Sequence, residues 1–449
     1  MEMQIAGLGS KADVLSQFSA LFVGVFGFLM GYAGLDQGVM RVYFLGYVFV
    51  ELFVFLFLSG YRPNPRSLFF FGWVLPFLIA QIPLKTLIFT LPSMSSASYT
   101  FFFLVVLLFH VSQLLVFLLV RGGSVAKDFR PELLSKNSRL YSSGSIVVFF
   151  LILPLGAYLV AAVASGFSFP ILSDDPTSAA KEFWHVPGTA TVFSLSQIFI
   201  VLVTVRYFSS KSLAKKVSNA EGVLLILGLF VIAVALVSYG KRSPILYSVV
   251  SGLVVYTALV KPRVSRVLVA FFLVASFVVL NAFIRAQANF YDFWYGQSFH
   301  ALESAWMYSM VQPLMYVYEA FANFGLVLES SRSDLFYELR EKGKILPAFS
   351  VLSVKYGGLH SAGIFMLVFL FYGLLYRFSY KGWALVSYSV IAPGMLFLWT
   401  GVLVEKESIF RLLGVVMFLA ILLNMAHIGS MRRMRQDVDS GAQHLGPTS

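Results

Sequence analysis

Long apolar runs recur along nearly the whole chain, and no other feature constrains its folding as much. Twelve of them read as membrane spans: Val14 to Gly34, Val42 to Leu58, Leu68 to Leu91, Tyr99 to Val120, Ser145 to Gly166, Thr189 to Phe208, Gly222 to Tyr239, Pro244 to Val260, Val264 to Ile284, Ser361 to Tyr376, Trp383 to Val404 and Ile409 to His427. A hydrocarbon core about 30 Å thick needs about 20 apolar residues of helix per crossing. In lipid the backbone must satisfy its own N–H and C=O groups, which such runs do as helices. The expected class is all-α, a polytopic membrane protein of about 12 transmembrane helices. Composition agrees: apolar residues make up 59% and charged residues 12%, against roughly 45–50% and 25% in a soluble domain. So little charge cannot cover a surface facing water, and 17% Phe, Trp and Tyr excludes a disordered chain. There is no cysteine, which excludes a disulfide framework, a thiolate metal site and a cysteine nucleophile. No small-residue cleavage site follows the first run, so it reads as a retained anchor.

The cations suggest which side is which. With the N-terminus in the cytoplasm, 20 of the 33 Lys and Arg fall on the inner side, among them Arg62, Arg66 and the group from Arg121 to Arg139. The outer segments hold 12, half of them in one long loop, and Lys85 lies within a span. The short loops thus follow the positive-inside tendency with both termini cytoplasmic. The net charge of +12 is explained by topology, and nucleic acid is not an expected partner. Residues 1–435 are expected to form one transmembrane domain with a long outer loop over 285–360, followed by a polar, disordered tail over 436–449. The chain has no Walker A loop, HExxH motif or His/Asp cluster at metal spacing, so neither nucleotide hydrolysis nor zinc chemistry is suggested and no metal or cofactor is expected.

Functional residues concentrate on loops carried by a scaffold, which directs attention to the outer face. In Ser238-Tyr239-Gly240-Lys241-Arg242-Ser243-Pro244, Ser243 is placed to cap a helix and Pro244 to occupy its first position. That helix start would offer free N–H groups and partial positive charge to a phosphate, with Lys241 and Arg242 beside it. The alternative is that both cations snorkel to lipid headgroups. The anion site is favoured because outer turns disfavour cations. Asn281 and Arg285, four apart, share a helix face, as a phosphate clamp or as an interfacial anchor. The loop beyond carries Asp292, Trp294, Tyr295, His300, Glu303 and Trp306. Aromatic faces beside carboxylates suit sugar rings, although for most of these rings an aromatic belt in the interface is the safer reading. Ala305 to Tyr318 is short for a crossing and reads as a re-entrant or interfacial helix. The stretch from Glu329 to Tyr356, with Arg332, reads mostly as a solvated charged face. Within the spans, Glu51 and Lys85 are ionisable groups that need partners. A structural ion pair between them is preferred over proton coupling in a transporter.

Three segments carry a family resemblance: Gly240-Lys241-Arg242-Ser243-Pro244 opening a span, Arg285 with the aromatic loop, and Tyr356-Gly357-Gly358-Leu359-His360-Ser361-Ala362-Gly363 leading into the tenth span. Arg285 with Gly296 and Arg332 with Gly343 also fit an Arg-x10-Gly element. In these segments and in layout the chain resembles the bacterial O-antigen polymerases, or oligosaccharide repeat unit polymerases. The resemblance implies a multi-pass protein of the bacterial inner membrane, active on its periplasmic face. It implies transfer of a growing glycan from a polyprenyl pyrophosphate carrier to a sugar hydroxyl of a new lipid-linked repeat unit. Its partners would be that lipid-linked oligosaccharide, membrane lipid and, as a candidate, a chain-length regulator protein. Arg242, Arg285, His300 and Glu303 would be catalytic; Lys241, Ser243, Asn281, Asp292, Trp294, Tyr295, Trp306, Arg332 and His360 would contact substrate. Cations and a helix N-terminus would stabilise the leaving pyrophosphate. A carboxylate or imidazole would take the hydroxyl proton, with His300, Glu303, Asp292 and His360 left open for that role or for sugar contacts. The alternatives are an O-antigen ligase transferring glycan to lipid A core and a non-enzymatic lipid-linked oligosaccharide flippase or transporter.

Overall fold

The computed structural model of the protein describes residues 2–58, 63–81, 94–120, 144–170, 173, 176–212, 219–238, 242–259, 276, 317, 320–321, 348–378, 382–396 and 398. Among the described residues all regular structure is helical. Among these residues six helices are long and apolar enough to cross a membrane, and four shorter helical stretches are apolar too. Large side chains such as Leu15, Phe22, Val42, Phe49 and Ile226 stand more than 60% exposed along these helices. Water would not tolerate that many exposed rings and branched chains, whereas acyl chains would. The protein is an all-helical membrane protein. The expected count of twelve crossings is not reached by these helices, and the ninth and twelfth expected spans lie outside the described residues apart from Ser276.

The first half of the bundle is built on α1 (Glu2–Tyr32), α2 (Gln37–Phe53), α3 (Pro65–Phe69), α4 (Leu75–Ala80) and α5 (Ser96–Leu119). Asp36 starts α2 by accepting from the Gly38 N–H at 2.8 Å. Asn64 starts α3 by accepting from the Ser67 N–H at 2.7 Å, and Pro65 occupies the first turn, where its missing N–H costs nothing. α1 and α5 run antiparallel, with Gly24 facing Val106, Gly27 facing Phe103 and Gly31 facing Thr100. Small residues let backbones approach where lipid gives no hydrophobic drive for association. At Gly31 an added Cβ would sit 3.0 Å from the Thr100 Cα.

The third run, expected as one helix from Leu68 to Leu91, is different. It starts at Pro65, passes through a π-helical turn at Phe70–Val74 and ends with α4 at Ala80, capped by Gln81. Pro76 cannot donate to the carbonyl four residues back, and the wide turn falls over that stretch. α2 likewise continues into a π-helical turn, Val54–Leu58.

The second half comprises α6 (Gly144–Ala164), α7 (Pro176–Phe183), α8 (Thr189–Phe193), α9 (Ser196–Ser212), α10 (Asn219–Ser238) and α11 (Arg242–Leu259). The sixth run was expected as one span and is broken at Ser194–Leu195. There the Ser194 hydroxyl donates to the Thr191 carbonyl at 2.6 Å, a local bond that competes with the helix ladder. The chain then supplies α12 (Ala348–Tyr356), α13 (Gly358–Arg377) and α14 (Gly382–Leu396). α12 turns apolar side chains inward at the end of the charged stretch: its Phe349, Val351 and Leu352 are buried, and Phe349 packs against Phe101 and Phe365.

Two cores result. One is aromatic, centred on Phe44, Phe69, Trp73, Phe77, Phe102 and Phe109. The other is mainly aliphatic, between α6, α9, α10, α11 and α14. The Gln197 amide joins three helices, donating to the Ser251 hydroxyl and to the Val390 carbonyl, both at 2.7 Å.

Candidate functional site

Three places in the described residues bear on function, and the start of α11 comes first. α10 ends at Ser238, whose hydroxyl meets that of Tyr158 and donates to the Ala235 carbonyl at 2.9 Å. Four residues later α11 begins at Arg242. The sequence places the cap at Ser243; the helix in fact takes both Arg242 and Ser243 into its first turn. Leading N–H groups of a helix this long lack partners within it and favour an anion. Lys241 lies outside the described residues, as do Asn281, Arg285, Asp292, Trp294, Tyr295, His300, Glu303, Trp306, Arg332 and the segment Ala305 to Tyr318 except Val317.

The second place is the start of α13. Gly357, at φ +82°, separates α12 from α13, in a region that strains any residue with a Cβ. Its N–H donates to Ser353 O at 2.9 Å, and the Ser361 hydroxyl donates back to Gly357 O at 2.8 Å. His360 is exposed here, in an open groove of about 560 Å³ lined by Tyr356, Leu359, Gly363, Ile364 and Leu367. The groove is apolar apart from the imidazole and the tyrosine. α13 lies along α5: the Ser112 hydroxyl donates to Met366 O at 3.1 Å and the Gln113 amide to Phe369 O at 3.0 Å. The end of the segment 285–360 is helical, α12 and α13 following each other with one glycine between them.

The third place was not anticipated in full. Glu51 is 2% exposed and takes two parallel bonds from Arg66, Nε to Oε2 and Nη2 to Oε1, both at 2.8 Å. The expected partner Lys85 lies outside the described residues; the cation seen on both carboxylate oxygens is Arg66, which the sequence did not suggest. Arg66 also donates from Nη1 to the Ser16 hydroxyl at 2.8 Å and from Nη2 to Ser16 O at 3.4 Å. The fully buried His110 places Nδ1 2.7 Å from Gln17 Oε1. Its Nε2 lies 3.1 Å from the Tyr47 hydroxyl and 3.6 Å from Glu51 Oε1. The positive-inside count had assigned Arg66 to a cytoplasmic loop. The signal that could have corrected it is Asn64-Pro65, a cap and first-turn pair that carries Arg66 into a helix. Phe55 stacks on Phe70 at 6.1 Å, so the two π-helical turns meet beside this cluster.

Among the described residues no group of three or more His, Asp or Glu side chains could hold a metal ion. No protein-family model, curated protein or solved structure matches the chain.

Proposed function

We propose that the chain is a glycosyltransferase of the bacterial inner membrane that polymerises polyprenyl-pyrophosphate-linked oligosaccharide repeat units on the periplasmic face. The observation that supports this reading is the start of α11 at Arg242: a guanidinium-bearing residue in the first turn of an apolar helix. A carrier lipid keeps its tail in the bilayer while its pyrophosphate rests at the interface, so a helix N-terminus with cations beside it suits that group. In this reading the glycan's anomeric carbon leaves the pyrophosphate oxygen and bonds to the acceptor hydroxyl oxygen. The hydroxyl proton goes to a base, with His300, Glu303, Asp292 and His360 the candidates. Arg242 and Arg285, each at the end of a turn or span, are proposed to converge on the leaving group, and Lys241, Ser243 and Asn281 to support them. Trp294, Tyr295, Trp306 and Arg332 are proposed to contact the glycan.

The test is a pair of variants in a strain whose surface polysaccharide depends on this protein. Removing one preorganised oxyanion donor typically costs about 10²–10³ in rate, and a charged donor should cost no less. Arg242→Ala and Arg285→Ala are expected to abolish polymer ladders while the protein still inserts and accumulates. Arg→Lys at either position is expected to restore ladders only in part, since lysine supplies charge without the fork. Wild-type ladders from both alanine variants would place pyrophosphate binding elsewhere.

A further inference from the structure

We infer that Ser16, Gln17, Tyr47, Glu51, Arg66 and His110 form a polar ring that locks the register of α1 on the bundle. The ring leaves α1 at Ser16, reaches α3 at Arg66 over 2.8 Å and crosses to α2 at Glu51 over two further 2.8 Å bonds. One turn along α2, Tyr47 passes it to His110 of α5 at 3.1 Å. His110 returns it to α1 at Gln17 over 2.7 Å. It thus begins and ends on consecutive residues of one helix, whose side chains diverge by about 100°. Ser16 engages α3 while Gln17 engages α5, so rotation of α1 about its axis breaks one arm or the other. Translation by one turn, about 5.4 Å, breaks both.

Elsewhere on α1 only the Tyr43 hydroxyl, donating to Val23 O at 2.8 Å, adds a directional bond from α2, and the rest of the contact is less selective. Its face toward α5 is lined by Gly24, Gly27 and Gly31, and a glycine groove accepts a partner helix at several heights. Its opposite face, with Leu15, Phe18, Phe22, Phe26 and Leu29, is exposed and apolar, and lipid solvates that face equally at every register. Directional bonds from buried donors are different, because a slipped helix leaves Arg66 Nη1 and a His110 nitrogen against apolar side chains, where an unmade bond is costly. Buried ionic and polar groups fixing register are an attested use of such networks. Protons and ions would need an entry and an exit, whereas this ring closes on itself through α1.

The chain has no cysteine, so disulfide trapping reads register directly. A Cβ at Gly24 would lie 3.2 Å from Val106 Cγ1, so Gly24→Cys with Val106→Cys is the in-register pair. Phe28→Cys with Val106→Cys is one turn out of register, in the direction that brings Ala20 and Leu21 to the places of Ser16 and Gln17, and too far to bridge. With the ring intact, mild oxidation is expected to cross-link the first pair and leave the second almost free. Ser16→Ala with Gln17→Leu removes both α1 side chains from the ring, leaving only the 3.4 Å bond to Ser16 O, and keeps the Glu51–Arg66 pair. In that background the ratio of in-register to slipped cross-link is expected to fall by about tenfold or more, the scale of one or two buried hydrogen bonds lost. The same fall is expected with Glu51→Leu, Arg66→Met and His110→Leu combined. An unchanged ratio in the Ser16→Ala/Gln17→Leu protein, recovered monodisperse, would overturn the proposal whether or not the triple variant accumulates.

Discussion

The guanidinium of Arg66 touches α1 and α2 from its own place on α3, and this sets the energetic character of the site. A buried ion pair gains little over apolar residues of the same volume, since desolvating two charges offsets their attraction. Breaking it from one side is another matter, because Glu51 would remain buried with its forked partner gone. Arg66→Met is therefore expected to lower stability by about 3–5 kcal/mol. Glu51→Leu with Arg66→Met should recover most of that loss, and equilibrium unfolding in mixed micelles reads both. A double variant as unstable as the single one would mean that the cost lies in Arg66's bonds to Ser16 and not in the orphaned carboxylate. The sequence showed that Glu51 needs a partner but did not point to Arg66. Charge counting assigns a cation to a loop by its distance from an apolar run, and it cannot see that a capped helix start has drawn Arg66 inward.

Helices pack here through a few positions that admit nothing larger than glycine. At Gly72, in the π-helical turn between α3 and α4, an added Cβ would lie 1.8 Å from the Met395 carbonyl oxygen and 2.7 Å from the Leu396 Cα. Both are backbone atoms of α14, so relief requires moving a helix and not a rotamer. Gly72→Ala is expected to destabilise by at least about 1–3 kcal/mol through overpacking. Gly46→Ala, on α2 with open space around it, is expected to be neutral or to stabilise by about 0.5–1 kcal/mol through helix propensity. Thermal unfolding of the two variants side by side checks this, and equal behaviour would contradict the close α3–α14 approach. Element positions were largely legible: the apolar runs for α5, α6, α10 and α13 lie within a few residues of the observed helices, while α1 begins twelve residues before its run. The breaks were not. A π-helical turn or a two-residue interruption such as Ser194–Leu195 leaves hydropathy unchanged, because it depends on local hydrogen bonding and not on apolar content.

For the whole molecule, hydropathy alone declared an all-helical membrane protein, and the exposure of large apolar side chains along the helices agrees. What was legible of the proposed site is narrower. Gly240 to Pro244 signalled a helix start, and α11 begins there; Tyr356 to Gly363 signalled entry to a span, and Gly357 marks it. Sequence pattern could not foresee α12 packing into the core, since nine residues of mixed character carry no span signal and their burial depends on Phe101 and Phe365 from distant segments. Nor could it tell donor from acceptor geometry around a carrier lipid, because that depends on where the segments between α11 and α12 fold. The central claim is catalytic, and purified protein in lipid nanodiscs tests it most directly. Given only polyprenyl-pyrophosphate-linked repeat units, the wild-type protein is expected to release polyprenyl pyrophosphate and build a ladder of products one repeat unit apart, while Arg242→Ala protein, equally folded, does neither. Wild-type protein that binds the same lipid yet releases no pyrophosphate and makes nothing longer than one unit would contradict the account.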